Sequence, residues 1–229
     1  MPGYHTHQTR IAISGVDDLL IRSLTDRQQF HDPHGHAEHL GISSAAWPMF
    51  GVSWPSGVAL AGRLAQHPVR AGERILELGC GLALPSLVGH RRGADVTASD
   101  CHPMASSFLR VNLRLNGLSP MDYRHGQWNV PARERERTRG HRGSVVRSRF
   151  DLIIGSDLLY ERDAPGGLAH FIAHHANADA QVWIVDPDRS NRAAFNRQMA
   201  HEGFSRDEER LDALAYKGRL ITYRRGNGA

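Results

Sequence analysis

The segment "RILELGCGLALPSLV" leaves this chain few folds to choose from. A short strand pattern, residues 74–78, runs into Gly-Cys-Gly and at once into a helical pattern. Pro85 falls in the first helical turn, where its missing N–H costs little. Nineteen residues after Gly81 a second strand pattern, "DVTASD", ends in Asp100. Strand, glycine turn, helix, then a strand with a terminal acid opens a parallel sheet covered by helices. Ligands of such sheets collect outside the carboxyl ends of the strands.

The same unit recurs downstream. Helices are expected in "HPMASSFLRVNLRLNG", closed by Gly117, in "GGLAHFIAHHAN" and in "NRAAFNRQMAHEG". Strands are expected in "MDYRHGQW", the fully apolar "FDLIIGSD", "AQVWIVDPDR" and, at the tail, "EERLDAL" and "GRLITYRR". The fold class is therefore α/β: a Rossmann-like, seven-strand, mostly parallel sheet with helices on both faces, occupying residues 51–229. A helix over 56–66, bounded by Pro55 and Pro68, precedes the first strand. "VDPD", residues 185–188, reads as a proline turn that can edge the ligand end. Residues 1–50 read as an N-terminal extension packing on the core. Within it, "RIAISGVDDLLIRSL" suits a hairpin turning near residues 15–18, and "HDPHGHAEHLG" suits a polar, lid-like loop. The histidines of that loop, spaced three, two and three residues apart, match no structural zinc pattern, so no metal is expected.

The formal charge of +4 is unevenly placed. Residues 131–149 hold seven arginines and two glutamates, a net +5, so the rest of the chain comes to −1. This basic insert suits an acidic protein surface or a phosphate backbone, but it lacks the aromatics that stack on bases. A charged surface loop that recruits substrate is the reading kept here. No run approaches the roughly eighteen apolar residues of a membrane span, and the N-terminus lacks the apolar centre of a signal peptide. Cys80 and Cys101 read as reduced thiols, so a cytoplasmic location is expected.

Gly79 and Gly81 fill two places of a dinucleotide fingerprint, but the third is Leu84. Glu77, just before the turn, would repel a pyrophosphate and attract an ammonium. Asp100 can accept hydrogen bonds from both hydroxyls of a ribose. Together they point to S-adenosylmethionine, which carries an ammonium and a sulfonium and no phosphate.

"ILELGCGLALPSLV" with "VTASDCHP" resembles the class I methyltransferases. The addition of "WPSGVALA", "GQW" and "IIGSDLLYE" makes residues 54–161 similar to one branch, the seven-strand protein-lysine methyltransferases and their bacterial relatives, often labelled predicted nicotinamide N-methylases. The resemblance implies that Trp54 lies over the cofactor end and that Gly79, Cys80 and Gly81 pass under its methionine part. It also implies that Asp100 holds the ribose, with Cys101 in the same segment, that Trp128 borders the adenine, and that Ser156 stands beside the cofactor. Asp157 and Tyr160 would then form the acidic-x-x-aromatic motif at the acceptor. The implied activity is N-methylation of a protein lysine. A small amine or heterocyclic nitrogen is the first alternative acceptor. A nucleic acid is disfavoured, because "SDLLY" stands where nucleic-acid amino-methylases carry Asn or Asp followed by Pro-Pro-aromatic. A lysine amine, with a pKa of about 10.4, must lose a proton before it attacks. Asp157 is assigned first to orient it and second to accept the proton, and Tyr160 to wall the pocket.

Overall fold

The computed structural model describes residues 3–126, 128, 149–160, 166–213 and 216–225. Its centre is a seven-stranded sheet. The strands are β3 (Arg74–Leu78), β4 (Asp95–Asp100), β5 (Asp122–His125), β6 (Phe150–Ser156), β7 (Ala176–Asp186), β8 (Phe204–Ala213) and β9 (Tyr216–Arg225). Their spatial order is β5-β4-β3-β6-β7-β9-β8. The first five pair in parallel, and β9 inserts antiparallel between β7 and β8. The expected seven-strand, mostly parallel α/β sheet is what forms.

Alternation along the central strands explains why both faces are covered. Leu76, Leu78, Ile153 and Ile184 pack with Leu168 and Ile172 of α5 (Gly167–His175) and with Phe195 and Met199 of α6 (Arg192–His201). The intervening Ile75, Leu152, Ile154 and Val185 pack on the other face with Leu60 and Leu64 of α2 (Pro55–Gln66). A strand buried on both sides has no polar positions to spare, which is why "LII" reads as continuous apolar sequence. The remaining helices are the one-turn α1 (His36–His39), α3 (Leu84–Arg91) and α4 (Ala105–Leu115). Among the described residues, no helix is long and apolar enough to cross a membrane.

Two boundaries differ from the sequence expectation. Helix α5 stops at His175 and β7 starts at Ala176, several residues before the apolar run. The Ala176 carbonyl accepts hydrogen bonds from the Arg149 and Arg225 guanidiniums at 2.7 and 3.2 Å, which anchors the strand's polar beginning. The loop with the histidines contains α1, whose first N–H groups, those of Ala37 and Glu38, are accepted by Asp32 Oδ2 at 2.9 and 3.0 Å. Of the basic insert only Arg149 falls within the described residues; 131–148 lie outside them.

The hairpin of β1 (Thr6–Ile13) and β2 (Val16–Leu24) forms as the turn at Gly15 suggests. Two asparagines one helical turn apart fix it to α4. Asn112 Oδ1 accepts the N–H of Arg22 at 2.8 Å, and Asn116 Oδ1 accepts that of Leu20 at 2.9 Å. Each Nδ2 group donates back to the carbonyl of the same residue. The helix thereby satisfies backbone groups on the edge of β2 that would otherwise be left unpaired. Asn112 is fully buried, so Asn112→Ala should lower unfolding free energy by about 1–3 kcal/mol in chemical denaturation. An unchanged midpoint would mean that the hairpin adds nothing to global stability.

Candidate active site

Strand order reverses between β3 and β6, and a cleft of about 1410 Å³ opens outside the carboxyl ends of the strands there. Chain reversal after β3 is made by Gly79 and Gly81, with φ of 57° and 51°, a region that side chains disfavour. Space forbids a side chain as well. A Cβ on Gly79 would collide with Leu158, and one on Gly81 would lie 2.8 Å from the carbonyl oxygen of Phe50. Between them, the N–H of Cys80 donates to Ser99 O at 3.0 Å and ties the turn to β4. Cys80 is buried, which pushes its thiol well above the ordinary range; Cys101 is half-buried, and both are free thiols.

Asp100 is 6% exposed, and both its oxygens are engaged. Oδ2 accepts the N–H of Gly81 and Oδ1 that of His102, each at 2.8 Å. Burial raises its pKa against the opposing pull of these bonds. Each oxygen keeps a second lone pair, so the group that shapes the turn can also accept ribose hydroxyls. Glu77 is 2% exposed and lines the cleft. Its Oε2 accepts both the N–H of Ser86, at 2.9 Å, and the Ser86 hydroxyl, so it caps the first turn of α3 from the preceding strand. Burial pushes its pKa up to about 8, outweighing the Ser86 bonds that favour the charged form.

Trp54 precedes α2, donates Nε1–H to the Met49 carbonyl at 2.9 Å, and lines the cleft. Trp128 borders it near Gly79 and meets Phe171 edge-on, ring centroids 6.4 Å apart. Ser156 ends β6, and Asp157 and Tyr160 follow it into the same cleft, Tyr160 being 52% exposed. All the residues singled out in the sequence for cofactor and acceptor roles therefore line one cavity.

The cleft also holds residues that sequence reading passed over. Asp157 has a left-handed φ of 56°, and its carboxylate is shared: Ser56 Oγ–H donates to Oδ2, while Arg189 Nε and Nη2 both donate to Oδ1, the former at 3.0 Å. Ser56 was visible only as part of "WPSG", and Arg189 directly follows the "VDPD" turn. His102 stacks on Phe50 at 3.8 Å and meets Trp47 edge-on. Its Nδ1 accepts the Met104 N–H at 3.2 Å, which assigns the ring proton to Nε2, a buried donor with no partner among the described residues. Burial pushes its pKa down to about 3, so it is neutral in the fold.

The donor set fits S-adenosylmethionine. No basic side chain belongs to the turn at residues 79–85, and two carboxylates, Glu77 and Asp100, stand beside it. Asp100 offers its carboxylate oxygens to two hydroxyls, and no cation stands at the turn to receive a pyrophosphate. Glu77, whose proton burial favours, adds a polar group for an amino-acid moiety rather than the fixed charge expected from the sequence.

Residues 49–201 match the family model described as lysine methyltransferase. The chain belongs to the lysine methyltransferase family. Its methyl donor is that of the class, S-adenosylmethionine, as the residues suggest. Electron transfer flavoprotein beta subunit lysine methyltransferase of Danio rerio is 32% identical over 67% of the chain and 56% of its own length. Protein N-lysine methyltransferase METTL21A of Mus musculus is 32% identical over 78% of the chain and 82% of its own length. The chain thus spans little more than half of the first relative and most of the second. In fold it resembles magnesium protoporphyrin IX methyltransferase (ChlM) from Synechocystis PCC 6803 with bound SAM, with a TM-score of 0.54, 15% identity, and coverage of 75% of this chain and 78% of that one.

For this family member the raised pKa of Glu77 has a stability consequence. Its protonated form is favoured by folding, so that contribution is complete below the ordinary value of 4.5 and is lost as pH rises to about 8. Denaturation midpoints of the ligand-free protein should fall across that window, and Glu77→Gln should flatten the fall. An equal slope in the variant would place the titration on another group.

Proposed function

We propose that this chain transfers the methyl group of S-adenosylmethionine to the side-chain amine of a protein lysine. The observation that carries the reading is one continuous cleft lined by the glycine turn and Asp100 and also by Asp157 and Tyr160. When bound, S-adenosylmethionine supplies an electrophilic methyl group on a cationic sulfur. Asp100 would hold the ribose, the 79–81 turn and Glu77 the amino-acid part, and Trp54, Trp128 and Ser156 the walls around it. Cys80 and Cys101 flank that region as neutral or half-buried thiols.

The work left for the protein is alignment and exclusion of water. Asp157 accepts a hydrogen bond from the incoming nitrogen and sets its direction, and the ring of Tyr160 closes the acceptor side. Residues 1–50 serve as a cover for this cleft rather than as a separate unit: Leu40, Ile42, Met49 and Phe50 all line it. The cytoplasm, with its reducing conditions, suits the two free thiols. The basic insert would recruit an acidic acceptor protein at low salt.

The test is to incubate the purified chain with methyl-labelled S-adenosylmethionine and lysate of its own source, then separate proteins from metabolites. A labelled protein whose mark maps to lysine supports the reading. Label confined to small molecules transfers the assignment to a metabolite amine, and label in nuclease-sensitive material transfers it to a nucleic acid. Asp157→Asn should cut transfer at least about tenfold while S-adenosylhomocysteine affinity stays within about twofold, the pattern of a contact made mainly in the transition state. Wild-type turnover in that variant would remove Asp157 from the chemistry.

A further inference from the structure

The acceptor-side carboxylate is not alone. Arg189 reaches Asp157 from the loop after the neighbouring strand β7 and places Nε and Nη2 on a single oxygen, Oδ1, while Ser56 takes Oδ2. The pair is only partly open to solvent, the side chains being 34% exposed for Arg189 and 14% for Asp157. Arg189 is held where it stands. Its backbone N–H donates to Asp186 Oδ1 at 2.8 Å, and Asp186 is fully buried. Asp188, with φ of 63°, turns the chain between them. The other arginines of this corner are engaged elsewhere: Arg192 and Arg219 both pair with Asp188. Arg197, His170, His201 and Glu202 line the same cleft.

We propose that Arg189 is a positioning residue that cancels the charge of Asp157, so that the acceptor end directs an amine without holding it as an ammonium. The inference rests on the amine-methylation reading above and explains a difficulty within it. An unpaired carboxylate a few ångströms from a lysine side chain favours the ammonium, the form that cannot attack. Such a site would bind its substrate better and transfer to it worse, because the added attraction belongs to the ground state. With Arg189 on Oδ1, the Asp157–Arg189 unit has no net charge. Both lone pairs of Oδ1 are taken by the guanidinium, but Oδ2, which receives only the Ser56 hydroxyl, keeps a second one, so a nitrogen N–H still finds an acceptor with a fixed direction. The forked contact of Nε and Nη2 and the Ser56 hydroxyl hold that carboxylate in one orientation.

The measurement uses n-butylammonium, the tip of a lysine side chain, titrated calorimetrically into the full chain loaded with S-adenosylhomocysteine at about pH 7. Arg189→Gln should bind the cation about fivefold or more tighter than wild type, as expected for one uncovered charge at a partly exposed site. Arg189→Lys, which keeps the charge, should stay close to wild type. The gain should vanish in the Arg189→Gln/Asp157→Asn double variant. Equal affinity in wild type and Arg189→Gln, including no binding by either, overturns the proposal, as does a gain that survives loss of the Asp157 charge. If Arg189→Gln no longer takes up S-adenosylhomocysteine, Arg189 shapes the donor end instead and the proposal also fails. No turnover is measured, so a chain that labels no protein lysine fails the functional reading without altering this result.

Discussion

The carboxylate of Asp100 accepts the N–H of Gly81 through one oxygen and that of His102 through the other, joining the loops that leave β3 and β4. Hydrogen bonds that end on a carboxylate are roughly twice as strong as neutral ones, and these two lie in a site 6% exposed. The first holds Gly81, at its left-handed φ of 51°, against the end of β4. Glu77 does similar work from the other side, since its oxygen meets the first turn of α3 through Ser86. The glycine turn is therefore framed by two buried acids, each at or beside the end of a strand.

That frame is closed from outside by residues far upstream. The Phe50 carbonyl lies so close to Gly81 that no side chain fits between them, and the Phe50 ring stacks on His102. Trp47 and Phe108 pack around the same ring, and the hairpin is clamped to α4 through Asn112 and Asn116. Displacing the first fifty residues would uncover the turn as well as an apolar cluster. The glycine at position 81 is thus required by the protein's own packing, apart from any ligand.

At Asp157, which lines the same cleft, the constraint is electrostatic. The N–H of Asp157 donates to Val185 O at 3.0 Å as its backbone enters the left-handed region. This conformation costs energy for a residue with a side chain and is kept where surrounding contacts determine it. Here those contacts are Ser56 from α2 and Arg189 from the loop after β7, so three separate segments converge on one carboxylate. An acid just past the end of a strand becomes half of an ion pair held in one orientation.

Periodicity and turn chemistry determined a great deal from the sequence alone. Residues 74–100 announce a parallel sheet with a ligand at its carboxyl ends, because strand, glycine turn, proline-started helix and terminal acid admit few other arrangements. The apolar run at 152–155 and the hairpin near Gly15 were equally legible, since both depend on neighbours in the chain. Residue types at the turn were enough to favour S-adenosylmethionine over a dinucleotide. The partners of those residues were not legible. Nothing local to "SDLLY" indicates that Ser56, a hundred and one positions away, and Arg189, thirty-two positions away, share the Asp157 carboxylate. Nothing in "LELG" says that Glu77 faces Ser86 and titrates near 8. Local sequence sets backbone geometry and which way a side chain points. Burial and charge compensation depend on which segments the sheet brings together, and only the tertiary structure decides that.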